Sequence, residues 1–138
     1  MKDLYHNVLV TQAAVPATTN ATLTSAVIDM QGFNSLNVVF AVGQTGDTLS
    51  GSIKWTLKLT HSDSDTSGFT DVTLAELNAG AATVVIDSNL LDESVYSFGY
   101  SGSKRYVKAV ATATGTHTNG TPMAILAMRA APAYSPVQ

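Results

Sequence analysis

The sequence predicts an all-β protein: an antiparallel β-sandwich, jelly-roll-like, with about eight strands and at most a short helical turn. Apolar and polar residues alternate along most of the chain, which is typical of strands with one buried face. Such runs recur between Gly- and Asn-containing turns at the spacing of a sandwich or barrel. With 138 residues the chain can bury a substantial core without cross-links, so a single domain over residues 1–138 is predicted.

The first half of the chain contains four predicted strands. Val8–Ala14 and Leu23–Met30 come first, and Leu36–Val42 follows with apolar residues at every second position. In the clearest run, Ser52–Thr60, apolar residues alternate with lysines and threonines. This alternation places Trp55, the only tryptophan, on the inward face of its strand.

The second half contains one helical candidate and the remaining strands. Val72–Leu77 is long enough for a single helical turn only. The strands are predicted over Thr83–Asp87, Val95–Tyr100, Lys104–Thr114 and Met123–Ala130. Together with the first half, this order of elements favours a sandwich in which all strands pair antiparallel.

Two connecting segments have specific signals. Asn119 and Gly120 stand between the last two runs, and Asn-Gly between strands is the strongest short-range signal for a hairpin. After the last run, Pro132 and Pro136 each lack a backbone donor. Residues 131–138 are therefore predicted to form an extended arm, with Tyr134 as its anchor on a neighbouring subunit.

The composition limits the kinds of function. The chain has no cysteine, which excludes disulfides and thiolate metal sites. Its net charge of −3 argues against a nucleic-acid partner, which requires a basic surface. Neither a secretion signal nor an apolar run long enough to span a bilayer is visible. A soluble protein made in a cytoplasm, with no membrane partner, is expected.

Charges are few and segregated along the chain. Charged residues make up 12% of the sequence, against about 25% in typical globular domains. Either neighbouring subunits cover the faces of the protein in an assembly, or the chain is merely a threonine-rich β-protein. All charges from Asp63 to Glu93 are acidic and all later ones are basic, so they can pair within the chain or across a subunit boundary. The candidate interface residues are Asp63, Asp65, Lys104, Arg105, Lys108 and Tyr134.

Motifs for catalysis or metal binding are weak. Gly99–Ser103 is similar to a nucleophile elbow, but it ends in Ser where Gly is required and no helix follows. The three histidines are far apart and form no paired ligand motif. Asp63–Asp71 has the oxygen-bearing residues of the first half of a calcium loop, yet Leu74 occupies the place of the bidentate Glu. An acidic hairpin loop is favoured over a divergent calcium site, and no catalytic residue, cofactor or metal is predicted.

Two segments resemble the motifs of a known group of proteins. The first is Gly99-Tyr100-Ser101-Gly102-Ser103-Lys104-Arg105-Tyr106-Val107, and the second is Gly115-Thr116-His117-Thr118-Asn119-Gly120-Thr121-Pro122. They are similar to a Gly-Tyr-x-Gly-x-Lys-Arg-Tyr-Val strand and a Gly-Thr-x-Thr-Asn-Gly-Thr-Pro turn in small structural proteins of tailed bacteriophages and gene transfer agents. Residues 1–5 and 61–72 also resemble this group. Ser101 and Ser103 depart from its pattern, where an aliphatic residue and a glycine are usual.

The resemblance implies a non-enzymatic virion protein. It would be a capsid decoration or head-spike-base subunit that binds the major capsid protein and other virion proteins on the outside of the phage head. A cyclic homo-oligomer is expected from the sparse charge and from the split into acidic and basic segments. Two alternatives stay open: a neck or tail component of the same virion, and a carbohydrate-binding module. The second alternative requires a flat, exposed stacking platform made of Tyr96, Phe98, Tyr100 and Tyr106.

Overall fold

The computed structural model describes residues 3–78 and 80–133, which form an antiparallel sandwich of two sheets. No helix among these residues is long and apolar enough to cross a membrane. In chain order the elements are β1 (Val8–Thr19), β2 (Leu23–Thr24), β3 (Ile28–Asp29), β4 (Phe33–Val42), β5 (Lys54–Ser62), β6 (Thr70–Asp71), a 3₁₀ turn (Leu74–Glu76), β7 (Thr83–Ile86), β8 (Ser94–Tyr100), β9 (Tyr106–Thr114) and β10 (Thr121–Pro132).

The sheets have the strand order of a jelly roll. One sheet has four strands in the order β1-β10-β4-β8. In the six-stranded sheet β9 and β5 are central, with the short β2 and β3 along the far edge of β9 and β6 and β7 along the far edge of β5. Most connections cross from one sheet to the other, as the two Greek keys of a jelly roll require. The predicted fold class is confirmed.

The core lies between the sheets and is filled by alternate residues of the central strands. Trp55 on β5 is fully buried, which confirms its predicted inward orientation. Next to it on the same strand, Leu57 lies opposite Ala111 and Leu59 opposite Ala109 on β9. Large side chains of one strand thus lie beside small side chains of the next, and the layer fills without overlap.

Strand boundaries differ from the prediction where another group takes over the backbone hydrogen bonds. β5 begins later than predicted, since the hydroxyl of Ser50 accepts hydrogen bonds from the N–H groups of Ser52 and Ile53 and holds a turn. The predicted strand Leu23–Met30 is divided into β2 and β3, because Ala26 donates its N–H to β1 in the other sheet. Local polar contacts therefore set these ends.

β1 is an edge strand and is longer than predicted, since it continues to Thr19. Its register against β10 shifts between Gln12 and Ala14 and again between Ala14 and Ala17. Such bulges bend and twist an edge strand, which makes its free side a poor template for a further strand. The edge is thereby protected from edge-to-edge pairing.

The predicted hairpin at Asn119 and Gly120 is wrong. β9 and β10 flank these residues, but the two strands belong to different sheets and do not pair with each other. The segment instead crosses between the sheets, and the side chain of Asp47 binds its backbone. The Asn-Gly pair marks a sharp turn of the chain here, without a hairpin ladder.

The predicted arm at 131–138 is wrong for its first residues. β10 continues to Pro132, which lies opposite Phe33 in the register, and Ala133 donates its N–H to the carbonyl of Gly32. A proline is tolerated there because the ladder ends at this position. Residues 134–138, including Tyr134, lie outside the described residues, and the anchoring role of Tyr134 stays a prediction.

Candidate functional site

The segment Gly115–Pro122 is folded around one carboxylate. Asp47 accepts hydrogen bonds from the backbone N–H groups of Thr118, Asn119 and Gly120 at 3.1, 2.9 and 2.8 Å. The Asn119 N–H, followed by those of the other two residues, holds the pKa of Asp47 below its ordinary value, because these bonds stabilise the charged form. The Asp47 side chain is only 8% exposed. The second resemblance motif is therefore a structural turn built on an acid distant in sequence.

We expect Asp47→Asn to destabilise the fold in a pH-dependent way. An amide nitrogen cannot accept a hydrogen bond, so part of the turn backbone loses its acceptor. Because the folded pKa lies below the ordinary value of 3.8, the carboxylate stabilises the fold above that pH, and the effect is lost as the pH falls through the folded pKa. Urea unfolding should show a large gap between wild type and variant at about pH 7 and a narrower gap at about pH 3.

The exposed Asp65→Asn is the matched control for this measurement, since it removes the same charge without removing a turn acceptor. It should leave the free energy of unfolding nearly unchanged at both pH values. If the Asp47 variant were equally destabilised at both pH values, the carboxylate would not be the group that holds the turn.

Buried polar groups close the core behind this turn. The indole Nε1 of Trp55 donates to Thr121 Oγ1 at 3.0 Å, and Thr121 Oγ1 donates to Thr45 Oγ1 at 2.8 Å. The backbone N–H of Thr45 donates to Asp92 at 2.9 Å. His117 packs against Trp55 with 4.5 Å between ring centroids. Since all five residues are buried, they support the fold and offer no open binding site.

The first resemblance motif is a turn held by a tyrosine. The hydroxyl of Tyr100 accepts a hydrogen bond from the Lys104 N–H at 3.1 Å and lies 2.8 Å from His61 Nδ1. A Cβ at Gly102 would come within 2.5 Å of this hydroxyl, so the turn requires glycine there. Burial raises the pKa of Tyr100 and keeps its hydroxyl protonated. The Gly and Tyr residues of the motif thus shape the connection between β8 and β9.

Three of the predicted interface charges are engaged within the chain. Lys104 Nζ lies 2.6 Å from the carboxylate of Asp63. Arg105 makes two hydrogen bonds of 2.8 Å to Asp29, and it also contacts Gln31. The acidic and basic segments of the sequence therefore pair within the chain at Lys104 and Asp63. These ion pairs leave less charge available for a partner subunit.

The remaining candidate residues that the structure describes lie close to these charges, in and beside the Asp63–Asp71 loop, where Asp65 interacts with Arg105. Asp63–Asp71 spans the connection of the antiparallel pair β5–β6, which confirms the hairpin-loop interpretation, and Asp65 is exposed in it. Lys108 Nζ lies 4.1 Å from the centroid of the Phe69 ring. Within residues 3–78 and 80–133, no group of three or more acidic or histidine side chains is placed to hold a metal ion. Tyr134 lies outside these ranges.

A cleft of about 410 Å³ opens beside the tyrosine turn. Its lining includes Gln31, Asn34, Asn78 and Arg105, and the arginine is already bound to its own chain. Gly99–Ser103 leads from β8 through a turn into β9, so it lacks the following helix of a nucleophile elbow. The cleft offers hydrogen-bonding groups without an activated nucleophile.

The aromatic stacking platform of the carbohydrate-binding alternative is not formed. Phe98 and Tyr100 are each only 3% exposed and belong to the core. Tyr96 lies on the same strand and donates its hydroxyl to the Leu91 carbonyl, whereas Tyr106 lies on the other sheet. Because two of the four rings are buried and another is on a different sheet, no flat face presents them together. The condition set for the carbohydrate-binding alternative is therefore not met.

The outward surface of the four-stranded sheet is apolar and contains no charged residue from its strands. The register directs every second residue of β1, β10, β4 and β8 away from the core. We call these outward residues the outer face. Its members are Val8, Val10, Gln12, Thr18, Ser35, Asn37, Val39, Ala41, Val95, Ser97, Gly99, Pro122, Ala124, Leu126, Met128 and Ala130.

The outward surface of the six-stranded sheet has the opposite character. Lys54 and Lys58 on β5 and Lys108 on β9 point outward and alternate with threonines such as Thr56 and Thr112. Such a surface is well hydrated. The molecule therefore has one polar and one apolar side, and large apolar surfaces of this kind mark sites of protein contact.

The outer face is uneven as well as apolar. A hollow of about 380 Å³ is lined by Tyr5, Val10 and Met128, and another of about 300 Å³ at the opposite end is lined by residues that include Pro16 and Ala41. Among the described residues, neither lining contains an acidic, basic or histidine residue, and apolar side chains of a second protein can fill both hollows. We therefore take the outer face as the candidate functional site.

Projecting side chains accompany the hollows. Val95 on the outer face is 68% exposed, and Leu90, in the loop before β8, is 92% exposed. Val15 on the bulged part of β1 is 66% exposed. Exposed aliphatic side chains and apolar hollows are the projections and depressions that a tightly packed protein contact needs.

The sequence analysis predicts an interface at the charged turn and does not identify the outer face. The signal for it is present in Met123–Met128, where both alternating sets of residues are apolar. Runs of this kind are typical of strands that are covered on both faces. In this structure the core of the chain covers only one face of β10, and the second apolar set lies on the outer face.

Comparison with models of known protein families gives no match, and comparison with curated protein sequences gives none either. The function is therefore argued from the fold, the outer face and the two resemblance motifs.

Proposed function

We propose that this protein is a non-enzymatic structural subunit of a tailed-bacteriophage or gene-transfer-agent particle, located on the outside of the head as a decoration or head-spike-base protein. Its partners in this role are the major capsid protein and other copies of the same chain. Its location is the virion, after synthesis in the cytoplasm of the bacterial host.

The outer face is the observation that carries the proposal. A protein that works alone in solution rarely leaves a whole sheet surface without a single charge, because such a surface promotes association. In a particle, neighbouring subunits cover surfaces of this kind permanently. The low overall charge has the same explanation, which favours the assembly interpretation over a merely threonine-rich protein.

The two resemblance motifs support the proposal in a second way. Tyr100 and Gly102 shape one turn, and Asp47 binds the backbone of the other. The two motifs form the turns before and after β9, at the two ends of the sandwich. They therefore specify a structural scaffold and not a catalytic site. A jelly-roll scaffold is common among viral capsid proteins, although the fold alone does not define function.

The composition of purified particles tests the proposal. Particles from the strain that carries this gene are purified on a density gradient, and the chain is quantified by mass spectrometry relative to the major capsid protein. We expect the chain to co-purify at a fixed ratio, and particles from a gene-deletion strain to bind the purified chain until the same ratio is reached. Absence from intact particles would contradict the proposal.

The same measurement separates the head from the neck or tail. A copy number on the scale of the capsid lattice or its vertices indicates the head surface, and a single ring per particle indicates the neck or tail. Electron microscopy of particles labelled through the chain gives the position directly. The head location predicts label distributed over the capsid and none at the tail.

A further inference from the structure

We infer that the outer face binds the outer face of a second copy of this chain, so that the two sandwiches pack sheet against sheet about a two-fold axis. This inference rests on the proposed function, since it names the neighbour that covers the face. The occupant is a second copy and not another virion protein for three reasons: charge, area and shape.

Charge is the first reason. In a two-fold contact a residue near the axis lies close to its own copy, so a charged residue there would face the same charge. The outer face contains no Asp, Glu, Lys or Arg, and its polar members, such as Gln12, Asn37 and Ser97, can donate and accept hydrogen bonds alike. The face is therefore compatible with itself, whereas the opposite sheet, with three outward lysines, is not.

Area is the second reason. Four strands about 4.8 Å apart and about ten residues long at 3.4 Å per residue cover roughly 650 Å² in projection. Two such faces in contact involve roughly 1,300 Å² in total, and a specific interface needs about 1,000 Å² or more. The outer face is thus large enough for a stable contact without any additional surface.

Shape is the third reason. Sheets pack face to face by interdigitation of side chains at a separation of about 10 Å. Leu126 on β10 and Val39 on β4 lie opposite each other in the register and form the middle of the face. The apolar hollows lie toward its two ends, where exposed side chains such as Val95 also project. One face thus provides both projections and hollows, as a self-complementary contact requires.

The full-length chain should accordingly be a dimer in sedimentation equilibrium at low micromolar concentration. Leu126→Glu introduces two like charges near the axis and should weaken the dimer by at least about 100-fold. Thr112→Glu is the matched control, because it adds the same charge to the outward surface of the other sheet and should leave the dimer intact. Circular dichroism and thermal unfolding of both variants verify that the monomer is folded.

A mixture of variants tests the identity of the partner. Leu126→Lys alone should also be monomeric, and mixing it with Leu126→Glu should restore dimers, because opposite charges then meet near the axis. The chain has no cysteine, so Leu126→Cys gives a second readout that needs no charge. Mild oxidation should cross-link this variant into dimers, and Thr112→Cys should stay uncross-linked under the same conditions.

A wild-type chain that remains monomeric at about 100 µM and a Leu126→Cys variant that does not cross-link would overturn the inference. If such a monomer is nonetheless present in particles, only the pairing is wrong and the outer face contacts another virion protein. If the chain dimerises through this face but is absent from particles, the pairing stands and the proposed function fails.

Discussion

Replacing Trp55 by alanine should cost about 3–5 kcal/mol of stability, the largest effect that we expect from any single truncation of this core. The ring is fully buried, packs against His117 and donates its Nε1 proton to Thr121. Truncation leaves a large cavity and also removes the donor from a buried hydroxyl. Urea unfolding followed by circular dichroism measures the loss of free energy.

A second observable needs no mutation. Trp55 is the only tryptophan, so the tryptophan fluorescence of the folded protein reports on this position alone. We expect blue-shifted emission and weak quenching by iodide in the native state, with a red shift on unfolding. Thr56→Ala, at the next residue on the outward surface, is the control and should change stability by less than about 1 kcal/mol. A native spectrum that is already red-shifted and fully quenched would show that β5 faces the other way.

Replacing Tyr100 by phenylalanine should cost about 1–3 kcal/mol, although the ring is retained. The hydroxyl is the acceptor for the Lys104 N–H and the hydrogen-bond partner of His61 Nδ1. Its removal leaves both groups without this partner, and His61 is buried. Leaving buried polar groups unsatisfied costs more than an average hydrogen bond contributes.

Tyr96→Phe is the matched control for this variant. Its hydroxyl donates to the backbone carbonyl of Leu91 in a solvent-exposed hydrogen bond, so the change should stay within about 0.5 kcal/mol. Hydrogen exchange adds a local readout: the amide proton of Lys104 should lose protection in Tyr100→Phe and keep it in Tyr96→Phe. Equal stability of the two variants would contradict the role given to the Tyr100 hydroxyl.

The sequence predicted strands well where alternation is strict. In β5 the inward set includes Trp55 and Leu57, and the outward set consists of lysines and threonines, so period and orientation agree. Alternation says nothing about which strand lies beside which. The error at Asn119 and Gly120 has this origin, because a short polar turn looks the same whether it joins paired strands or crosses between sheets.

The candidate site was harder to predict for a related reason. A charged residue is conspicuous in a sequence with few charges, and for this reason the sequence predicts Lys104 and Arg105 as interface residues. Their partners, Asp63 and Asp29, are brought to them only by the folded chain. The outer face, conversely, consists of the outward residues of four strands. That these residues together lack a charge can be recognised only when the strand order is known.

The position of β10 restricts the order of events during synthesis. It lies between β1 and β4 and pairs with both, yet it is the last strand in the described part of the chain to leave the ribosome. Pairing over so long a stretch of sequence is slow, because the chain must close a large loop before any contact forms. The four-stranded sheet, and with it the outer face, therefore takes shape only after translation of Thr121–Pro132, and a nascent chain has no finished surface with which to engage another subunit prematurely.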